Sequence, residues 1–206
     1  MKVLLINGSP HEKGCTYTAL AEVAKTLEEQ GIETTLFQLG KEPISGCIAC
    51  RACMKTKRCV INDKVNEMLD MMDGIDGLVV GSPVYYAAPA GQLTAFLERA
   101  FFLKGKLYAD KPGAAIVSCR RGGATAAFDR LNKFFTISNM PVVSSQYWNQ
   151  VHGNTPDEVR QDVEGLQIMR TLGINMAWLL KCIEAGRLAG IPAPEREQTV
   201  ATNFIR

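Results

Sequence analysis

The stretch Val3–Thr18, VLLINGSPHEKGCTYT, decides the fold of this chain. It opens with four consecutive apolar residues, Val3 to Ile6, and becomes polar at Asn7. A continuous, partly β-branched apolar run is typical of a strand that is buried on both faces, as in parallel sheets. From Thr16 to Gln30, apolar residues recur at helical spacing. The stretch therefore predicts a buried strand that leads through a glycine-containing loop into a helix.

The same alternation of strand and helix continues along the rest of the chain. Further strands are predicted at Ile32–Leu39, Gly77–Gly81, Ala114–Ser118 and Pro141–Tyr147. Helices are predicted around residues 65–72 and at Gln92–Leu103, Ala124–Phe135 and Thr155–Ala185. Strands that alternate with helices imply a parallel sheet with right-handed crossovers. We therefore expect an α/β fold, a doubly wound three-layer sandwich around a five-stranded parallel sheet in the order 2-1-3-4-5.

The length and composition of the chain are those of a single globular domain. The chain has 206 residues, of which 47% are hydrophobic and 21% charged, and this suits one domain with a substantial core. The formal net charge is only +2, so we expect no nucleic-acid partner. The first apolar run is too short for a signal-peptide core or a membrane span. We expect a cytoplasmic protein without membrane attachment, with one domain at 1–190, a cysteine loop at 44–62 and an extended tail at 191–206.

Four of the seven cysteines are clustered in the pattern CxxCxxCxxxxxC. An odd number of cysteines in a reducing compartment fits poorly with a disulfide framework. Thiols this close together indicate binding of a soft metal or redox chemistry. From the residues alone, an iron–sulfur cluster, a zinc ion, a redox pair and an unused cysteine loop all remain open. The four residues are Cys47, Cys50, Cys53 and Cys59.

The loop after the first strand is a candidate phosphate site. Ligands of open parallel sheets bind beyond the carboxyl ends of the strands, so the loops after strands one, three and four matter most. Residues 8–18 curve through two glycines into a helix start, where unpaired N–H groups suit a phosphate. The alternative is an ordinary turn capped by Thr16. Neither GxGxxG nor GxxxxGK[ST] occurs here, so a dinucleotide fingerprint or P-loop is not expected.

The loops after the third and fourth strands could complete such a site. The segment GSPVYYAAPAGQ, residues 81–92, holds two adjacent tyrosines between prolines. A planar heterocycle could stack on them, or they could pack on a neighbouring helix or subunit. The segment SCRRGG, residues 118–123, combines small residues with two arginines. Arginines suit a phosphate or an electron-rich ring, although such pairs are also common on solvated surfaces.

Four segments together resemble the flavodoxin-like NADPH-dependent FMN reductase family, and within it the iron–sulfur flavoproteins. They are VLLINGSPHEKGCTYT, the cysteine loop, GSPVYYAAPAGQLTAFLER and SCRRGG, in this order. The resemblance implies a flavodoxin-like fold, FMN as cofactor and NAD(P)H as cosubstrate. It also implies a 4Fe-4S cluster on the four clustered cysteines, and assembly into a homodimer or homotetramer.

The resemblance also implies which residues contact the cofactor. Relatives often carry Arg in place of His11, and Asn or Ser in place of Cys15, so two side-chain contacts differ here while the backbone cradle is kept. No side chain is expected to act as nucleophile or general base. The implied FMN contacts are Ser9, His11, Gly14, Cys15, Thr16 and Tyr17 at the phosphate, Pro83, Val84, Tyr85 and Tyr86 along the ring, and Ser118, Arg120, Arg121, Gly122 and Gly123 at its other edge.

The implied activity is that of an FMN-dependent oxidoreductase. Electrons would pass from NAD(P)H or a ferredoxin-like donor to a small acceptor such as a quinone, a nitro compound, oxygen or peroxide. The alternatives are an iron–sulfur flavoprotein or flavodoxin-like electron carrier without turnover of a small substrate, and a metal-binding module that has lost its flavin. Because the cysteine loop follows the second strand, we expect it beside the flavin side of the sheet, where it could relay electrons.

Overall fold

The computed structural model describes residues 1–202, apart from the side chains of residues 104–106. The strands are β1 Lys2–Asn7, β2 Glu33–Gln38, β3 Gly77–Tyr85, β4 Ala88–Pro89, β5 Gly113–Cys119 and β6 Gln150–His152. The helices are α1 Cys15–Glu29, α2 Cys53–Thr56, α3 Lys64–Met71, α4 Gly91–Tyr108, α5 Ala124–Ile137, α6 Pro156–Gln161 and α7 Val163–Leu188. In this described part of the chain, none of the helices is both long and apolar enough to cross a membrane.

Five of the strands form the parallel sheet that the sequence predicts. Their order is β2-β1-β3-β5-β6, which is the order 2-1-3-4-5 once the short antiparallel strand β4 is set aside. Alternate residues of β1 enter opposite cores: Leu4 and Ile6 pack under α3, α4 and α5, whereas Val3 and Leu5 pack under α1 and α7. Burial on both faces explains the continuous apolar run. The result is the expected three-layer sandwich.

The predicted fifth strand at Pro141–Tyr147 is wrong in its position. Only Val142 makes a sheet bridge there, to Gly113, and β6 forms further on, beside the end of β5. Between the two pairings, the buried Asn149 side chain donates a hydrogen bond of 3.1 Å to a carbonyl of β5. A side-chain amide thus occupies part of the edge where a strand backbone would pair, and the intervening residues leave the sheet.

The predicted single helix at Thr155–Ala185 is divided into α6 and α7 at Asp162. The backbone of Asp162 has φ −75° and ψ 78°, which is outside the helical region. Its carboxylate accepts hydrogen bonds from the N–H of Gly165 at 2.9 Å and from the N–H of His152 at 2.6 Å. Such bonds from an aspartate to the backbone compete with helix continuation and favour a helix start. The break therefore ties α7 to the end of β6.

Strand β3 is longer than the sequence predicts. It continues beyond Gly81 to Tyr85 and turns through Tyr86 and Ala87 into β4. Both turn residues have left-handed backbone conformations, with φ of 50° and 59°. This combination is typical of the tight turn of a two-residue hairpin. The tyrosines therefore lie on a hairpin that projects from the sheet.

The end of the chain forms no helix or strand between residues 191 and 202. In this segment Arg196 forms an ion pair with Asp110, which follows α4. Residues 203–206 of the predicted tail lie outside the described residues. The described part of the tail therefore reaches the end of the molecule opposite to the loops that follow β1, β3 and β5.

Candidate functional site

The loops after β1, β3 and β5 meet at one edge of the sheet. The parallel register aligns Asn7 with Gly81 and Pro83 with Ser118, so the three chains leave the sheet side by side. The hydroxyl groups of Thr16 and Ser118 are 2.8 Å apart and buried. This hydrogen bond joins the first turn of α1 to the end of β5. Two residues of the predicted FMN site are therefore in direct contact, although 102 positions separate them in the chain.

The start of α1 is open towards an anion. Its N-cap is Gly14, which has no side chain to cap the helix. The alternative of a turn capped by Thr16 is wrong, because Thr16 lies inside α1 and its hydroxyl pairs with Ser118. The uncapped N–H groups and the helix dipole give this end a partial positive charge. A cavity of about 740 Å³ lies beside it, between residues 10–15, the end of β2 and the segment 154–156.

Asn7, which is not among the predicted site residues, fixes the conformation of the loop after β1. Its side chain is completely buried, accepts the N–H of Ser9 at 3.1 Å and donates to the side chain of Gln38 at 2.6 Å. Gln38 in turn donates to the carbonyl of Ser9 at 2.7 Å. The Ser9 hydroxyl accepts the N–H of His11 at 3.1 Å. The available signal was a polar residue that directly ends a buried apolar run.

The tyrosine hairpin packs against the loop after β5. Tyr85 is 46% exposed and Tyr86 is fully exposed, so neither is buried against a helix of its own chain. A Cβ atom added to Gly123 would lie 2.7 Å from the Cα of Ala87 and 3.2 Å from a methyl group of Val84. Gly123 also has a left-handed φ of 88°. The contact between the two loops therefore requires a glycine at this position.

The loop after β5 adds positive charge and a second open helix start. Arg120 and Arg121 are exposed, and Gly122 has free space around it. Gly123 is the N-cap of α5, which has no side-chain cap. The predicted contacts of this loop thus lie at the same edge as the start of α1, with backbone N–H groups available from both helices.

Two further thiols flank this edge. Burial raises the pKa of the Cys15 thiol, and the negative charge of Glu158 acts in the same direction. Burial likewise raises the pKa of Cys119, which is only 5% exposed at the end of β5. A raised pKa keeps a thiol neutral at physiological pH. Cys15 therefore adds no negative charge at the predicted phosphate site.

The four clustered cysteines line a single small cavity of about 20 Å³. Cys47 and Cys50 are exposed, whereas Cys53 and Cys59 are half-buried, and all four are free thiols. The backbone of Cys59 is held by Asn66 of α3, which accepts its N–H and donates to its carbonyl, both at 3.0 Å. Within residues 1–202, no three Cys, His, Asp or Glu side chains stand close enough together to hold a metal ion.

The chemistry of the cysteine cavity fits a thiolate-bound centre. Four soft sulfur donors suit an iron–sulfur cluster or zinc. Arg99 and Phe102 of α4 are among the other residues that line the cavity. Arg99 lies eight residues beyond Gly91, the first residue of α4 at the loop edge, or about 12 Å along the helix axis at its usual rise. The backbone of Arg99 therefore lies part-way along α4, and its side chain contacts the cysteine loop from there.

Comparison with known proteins gives concordant results for sequence and fold. The family described as NADPH-dependent FMN reductase matches residues 1–155. An iron–sulfur flavoprotein of Methanocaldococcus jannaschii is 33% identical over 192 residues, which cover 89% of this chain and 100% of that protein. A WrbA-like flavodoxin of Agrobacterium tumefaciens has a TM-score of 0.61 at 17% identity, over 88% of this chain and 96% of the other. FerB of Paracoccus denitrificans, an NAD(P)H:(acceptor) oxidoreductase, has a TM-score of 0.64 at 17% identity, over 88% and 97%.

The two structural matches establish the flavodoxin-like fold alone, since their sequence identity is low. The family match extends from β1 to the start of α6 and so includes all three loops that meet at the sheet edge. The relative from Methanocaldococcus jannaschii matches over its whole length. On these grounds, the chain belongs to the NADPH-dependent FMN reductase family, in its iron–sulfur flavoprotein branch.

Proposed function

We propose that this flavoprotein is an FMN-dependent oxidoreductase that passes electrons from NAD(P)H or a ferredoxin-like donor to a small acceptor such as a quinone, a nitro compound, oxygen or peroxide. FMN, when bound, supplies the hydride and single-electron chemistry. The observation that carries the proposal is the meeting of three loops at one sheet edge, around the uncapped start of α1. The protein's task is to bind and orient, so no nucleophile or general base is assigned.

The phosphate end of the proposed site depends on backbone groups. Gly14 caps α1 without a side chain, and a Cβ there would lie only 2.9 Å from the Cβ of His11. The curve of the loop therefore leaves N–H groups accessible, as an anion requires. The hydroxyl group of Thr16 is fixed by Ser118, which orients the first turn of α1. Residues Ser9, His11, Cys15 and Tyr17 complete the proposed contacts.

The ring end of the proposed site is built from the hairpin and the loop after β5. Pro83 and Val84 are half-buried, whereas Tyr85 and Tyr86 are exposed. Exposed aromatic and apolar side chains beside a loop of small residues suit a planar ring. Arg120 and Arg121 supply positive charge there, which would stabilise an electron-rich ring. Ser118, Gly122 and Gly123 complete the proposed contacts.

We also propose that Cys47, Cys50, Cys53 and Cys59 bind a 4Fe-4S cluster. Such a cluster, when bound, supplies single-electron transfer. The proposal is supported by the four thiols on one cavity and by the name of the relative from Methanocaldococcus jannaschii. Exposed basic residues of the same loop, among them Arg51, Lys55 and Lys57, suit an acidic ferredoxin-like donor. This observation also favours the second candidate, an electron carrier without turnover of a small substrate.

We propose a homodimer or homotetramer in the cytoplasm. Helix α7 exposes Ile174 at 49% and Trp178 at 67%, one turn apart on the same side. Exposed apolar side chains at this spacing suit an interface between subunits. All seven cysteines are free, which suits a reducing compartment.

The deciding experiment is an absorption spectrum of anaerobically purified protein, with FMN, iron and sulfide assays on the same sample. Oxidation of NADPH and NADH is then measured with quinone, nitro and oxygen acceptors. Flavin with iron and sulfide, together with turnover, is the expected result. Flavin that is reduced rapidly by ferredoxin, without oxidation of NADPH or NADH, would replace the reductase by the carrier. Protein that stays colourless after addition of FMN would contradict both.

A further inference from the structure

Arg99 is the only charged residue that is buried within the described part of the chain. It lies in the middle of α4, and its side chain is 2% exposed. A guanidinium group is costly to remove from water unless acceptors surround it. Its environment is the cysteine cavity, which is lined by all four cysteines of the motif and by Arg99 itself. The groups that compensate for the burial of this charge are therefore to be found around the cavity.

The guanidinium group makes five hydrogen bonds to the segment between β2 and α3. One terminal nitrogen donates to Asp63 at 2.6 Å and to the carbonyl of Ser45 at 3.2 Å. The other donates to Asp63 at 2.9 Å, to the carbonyl of Ile61 at 3.0 Å and to the sulfur of Cys59 at 3.1 Å. The Nε atom is buried without a partner. Arg99 thus links both ends of the cysteine loop and contacts one of its sulfurs directly.

Arg99 differs in this respect from the basic residues of the cysteine loop, of which Arg51 also lines the cavity but is exposed. Arg58 is the immediate neighbour of Cys59, but its side chain is 51% exposed and pairs with Asp70. Water and salt screen an exposed charge of this kind. A buried guanidinium beside a sulfur acts in a medium of low dielectric constant, where charge-assisted hydrogen bonds are strong.

We propose that Arg99 is the positioning residue of the cysteine site: it holds the sulfur of Cys59 in place, and its buried charge stabilises the reduced, more negative state of the centre that the four thiolates bind. This inference rests on the proposed 4Fe-4S cluster. Reduction adds one electron from the donor and changes no bond of the protein, so a fixed positive charge at a ligand sulfur raises the reduction potential. Asp63 partly offsets the same charge, because it is the only carboxylate that Arg99 contacts among the described residues.

The test compares three substitutions with one matched control, and two of the three have opposite expected effects on the reduction potential. Arg99→Gln removes the buried charge, Arg99→Lys keeps a charge without the planar fork, and Asp63→Asn removes the offsetting carboxylate while it keeps an α3 cap. Arg58→Gln removes one exposed charge from the same loop and serves as the control. Each protein is purified anaerobically and reconstituted with iron and sulfide. FMN, iron and sulfide per chain are assayed, and the potential of the cluster is measured by redox titration with low-temperature electron paramagnetic resonance.

The expected result is a lower potential for Arg99→Gln and a higher one for Asp63→Asn. We expect each shift to be about tenfold in the equilibrium constant for reduction, which is about 59 mV for a one-electron couple. Arg58→Gln should stay within about twofold of the unmodified protein, because its charge is screened. Loss of iron from Arg99→Gln, with FMN retained and with iron retained by Arg58→Gln, would equally support the role of Arg99 in holding the site. If Arg99→Gln loses both FMN and iron, Asp63→Asn decides: a higher potential supports the proposal, and a lower or unchanged one overturns it.

Two further results would overturn the proposal. One is full iron content and an unchanged potential in Arg99→Gln; the other is an equal shift in Arg58→Gln. The proposed function fails separately, since unmodified protein that binds FMN but takes up no iron and sulfide refutes the cluster before any variant is made.

Discussion

At the scale of single residues, the loop that faces the proposed phosphate site depends on Asn7. We expect Asn7→Ala to lower the free energy of unfolding by about 2 kcal/mol, because the N–H of Ser9 and the side chain of Gln38 each lose a buried partner. FMN affinity should fall by about tenfold or more, since the loop is no longer held. Urea unfolding and titration of flavin fluorescence measure the two effects.

The control for this prediction is Asn175→Ala on the exposed side of α7, where the lost hydrogen bond joins the amide to the Ser144 carbonyl. An exposed hydrogen bond contributes little to stability. Equal FMN affinities in the two variants would contradict the role given to Asn7.

Cys15 provides a second prediction at this scale. Because burial raises the pKa of its thiol, the thiolate fraction at any given pH is smaller than that of a free cysteine, and its alkylation profile should shift to higher pH. FMN should slow the alkylation further by covering the loop. Mass spectrometry after iodoacetamide treatment across pH 7 to about pH 10 measures both effects.

The exposed Cys182 on α7 is the internal control in the same sample. It should react at the same rate with and without FMN. Equal protection of both thiols by FMN would show that the effect does not arise at the flavin site.

The hydrogen-bond partners of the loop residues could not be predicted from the sequence. Thr16 and Ser118 were both assigned to the FMN site, but nothing in the sequence indicates that their hydroxyl groups share a hydrogen bond. Asn7 and Gln38 were missed because 31 residues separate them. Arg99 was missed because an arginine in a helix is usually exposed, and its partners lie 36 to 54 residues away in the chain. Contacts of this kind become visible only when the topology is known.

At the scale of elements, the hairpin β3–β4 and the start of α5 hold each other in position. We expect Gly123→Ala to lower the free energy of unfolding by about 2 to 4 kcal/mol, because its Cβ would overlap with Ala87 and its φ is left-handed. FMN binding should weaken in parallel, since the two loops are pushed apart. Thermal unfolding and flavin titration are the measurements.

The neighbouring substitution Gly122→Ala is a matched control, because a Cβ at Gly122 meets no atom within 4 Å. Its unfolding temperature should stay within about 2 °C of the unmodified protein. If both substitutions have equal effects, the contact between the hairpin and α5 is not the cause.

Helices and strands could be predicted where the pattern of apolar residues continued without interruption. The central strands β1 and β5 are buried almost throughout, so their sequences are continuous apolar runs. The fifth strand and the long last helix were misplaced because single polar side chains, Asn149 and Asp162, bond to the backbone and redirect the chain. The spacing of apolar residues along the chain does not indicate where a polar side chain will hydrogen-bond to the backbone in place of another backbone group.

At the scale of the whole molecule, the tail lies far from the proposed flavin site. It lines a groove of about 1300 Å³ together with residues from the second halves of α4 and α5 and with Cys47 of the cysteine loop. We expect removal of residues 192–206 to leave FMN affinity within about twofold and to lower the free energy of unfolding by less than about 1 kcal/mol, as an exposed ion pair such as Arg196–Asp110 contributes little. Flavin titration, urea unfolding and light scattering measure affinity, stability and assembly.

Arg196→Ala in the full-length chain separates the ion pair from the rest of the tail. A tenfold loss of FMN affinity in the truncated protein would place the tail in the flavin site and contradict the domain boundary at residue 190. A smaller assembly after truncation, with unchanged FMN affinity, would assign the tail to the contact between subunits.

The order of the strands in the sheet was the most predictable feature of the molecule. Right-handed crossovers and buried strands leave few ways to order five parallel strands, and the order 2-1-3-4-5 is the one found. The contact between the cysteine loop and the middle of α4 was not predictable, because it joins residues far apart in the chain. The hydrogen bonds of Arg99 and of Gln92 to the segment between β2 and α3 reveal the path of the chain along α4.

Helix α4 supports two chemically different regions at separate positions along its length, with the edge of the proposed flavin site at its first turn and the cysteine cavity at its middle. For protein engineering, we expect this separation to make the part of the loop that Arg99 holds, residues 45–61, a replaceable module. A designer could exchange it for a short turn, together with Arg99→Leu, and obtain a smaller flavin-only scaffold without rebuilding the sheet. The same attachment points would accept other metal-binding loops at a fixed spacing from the flavin.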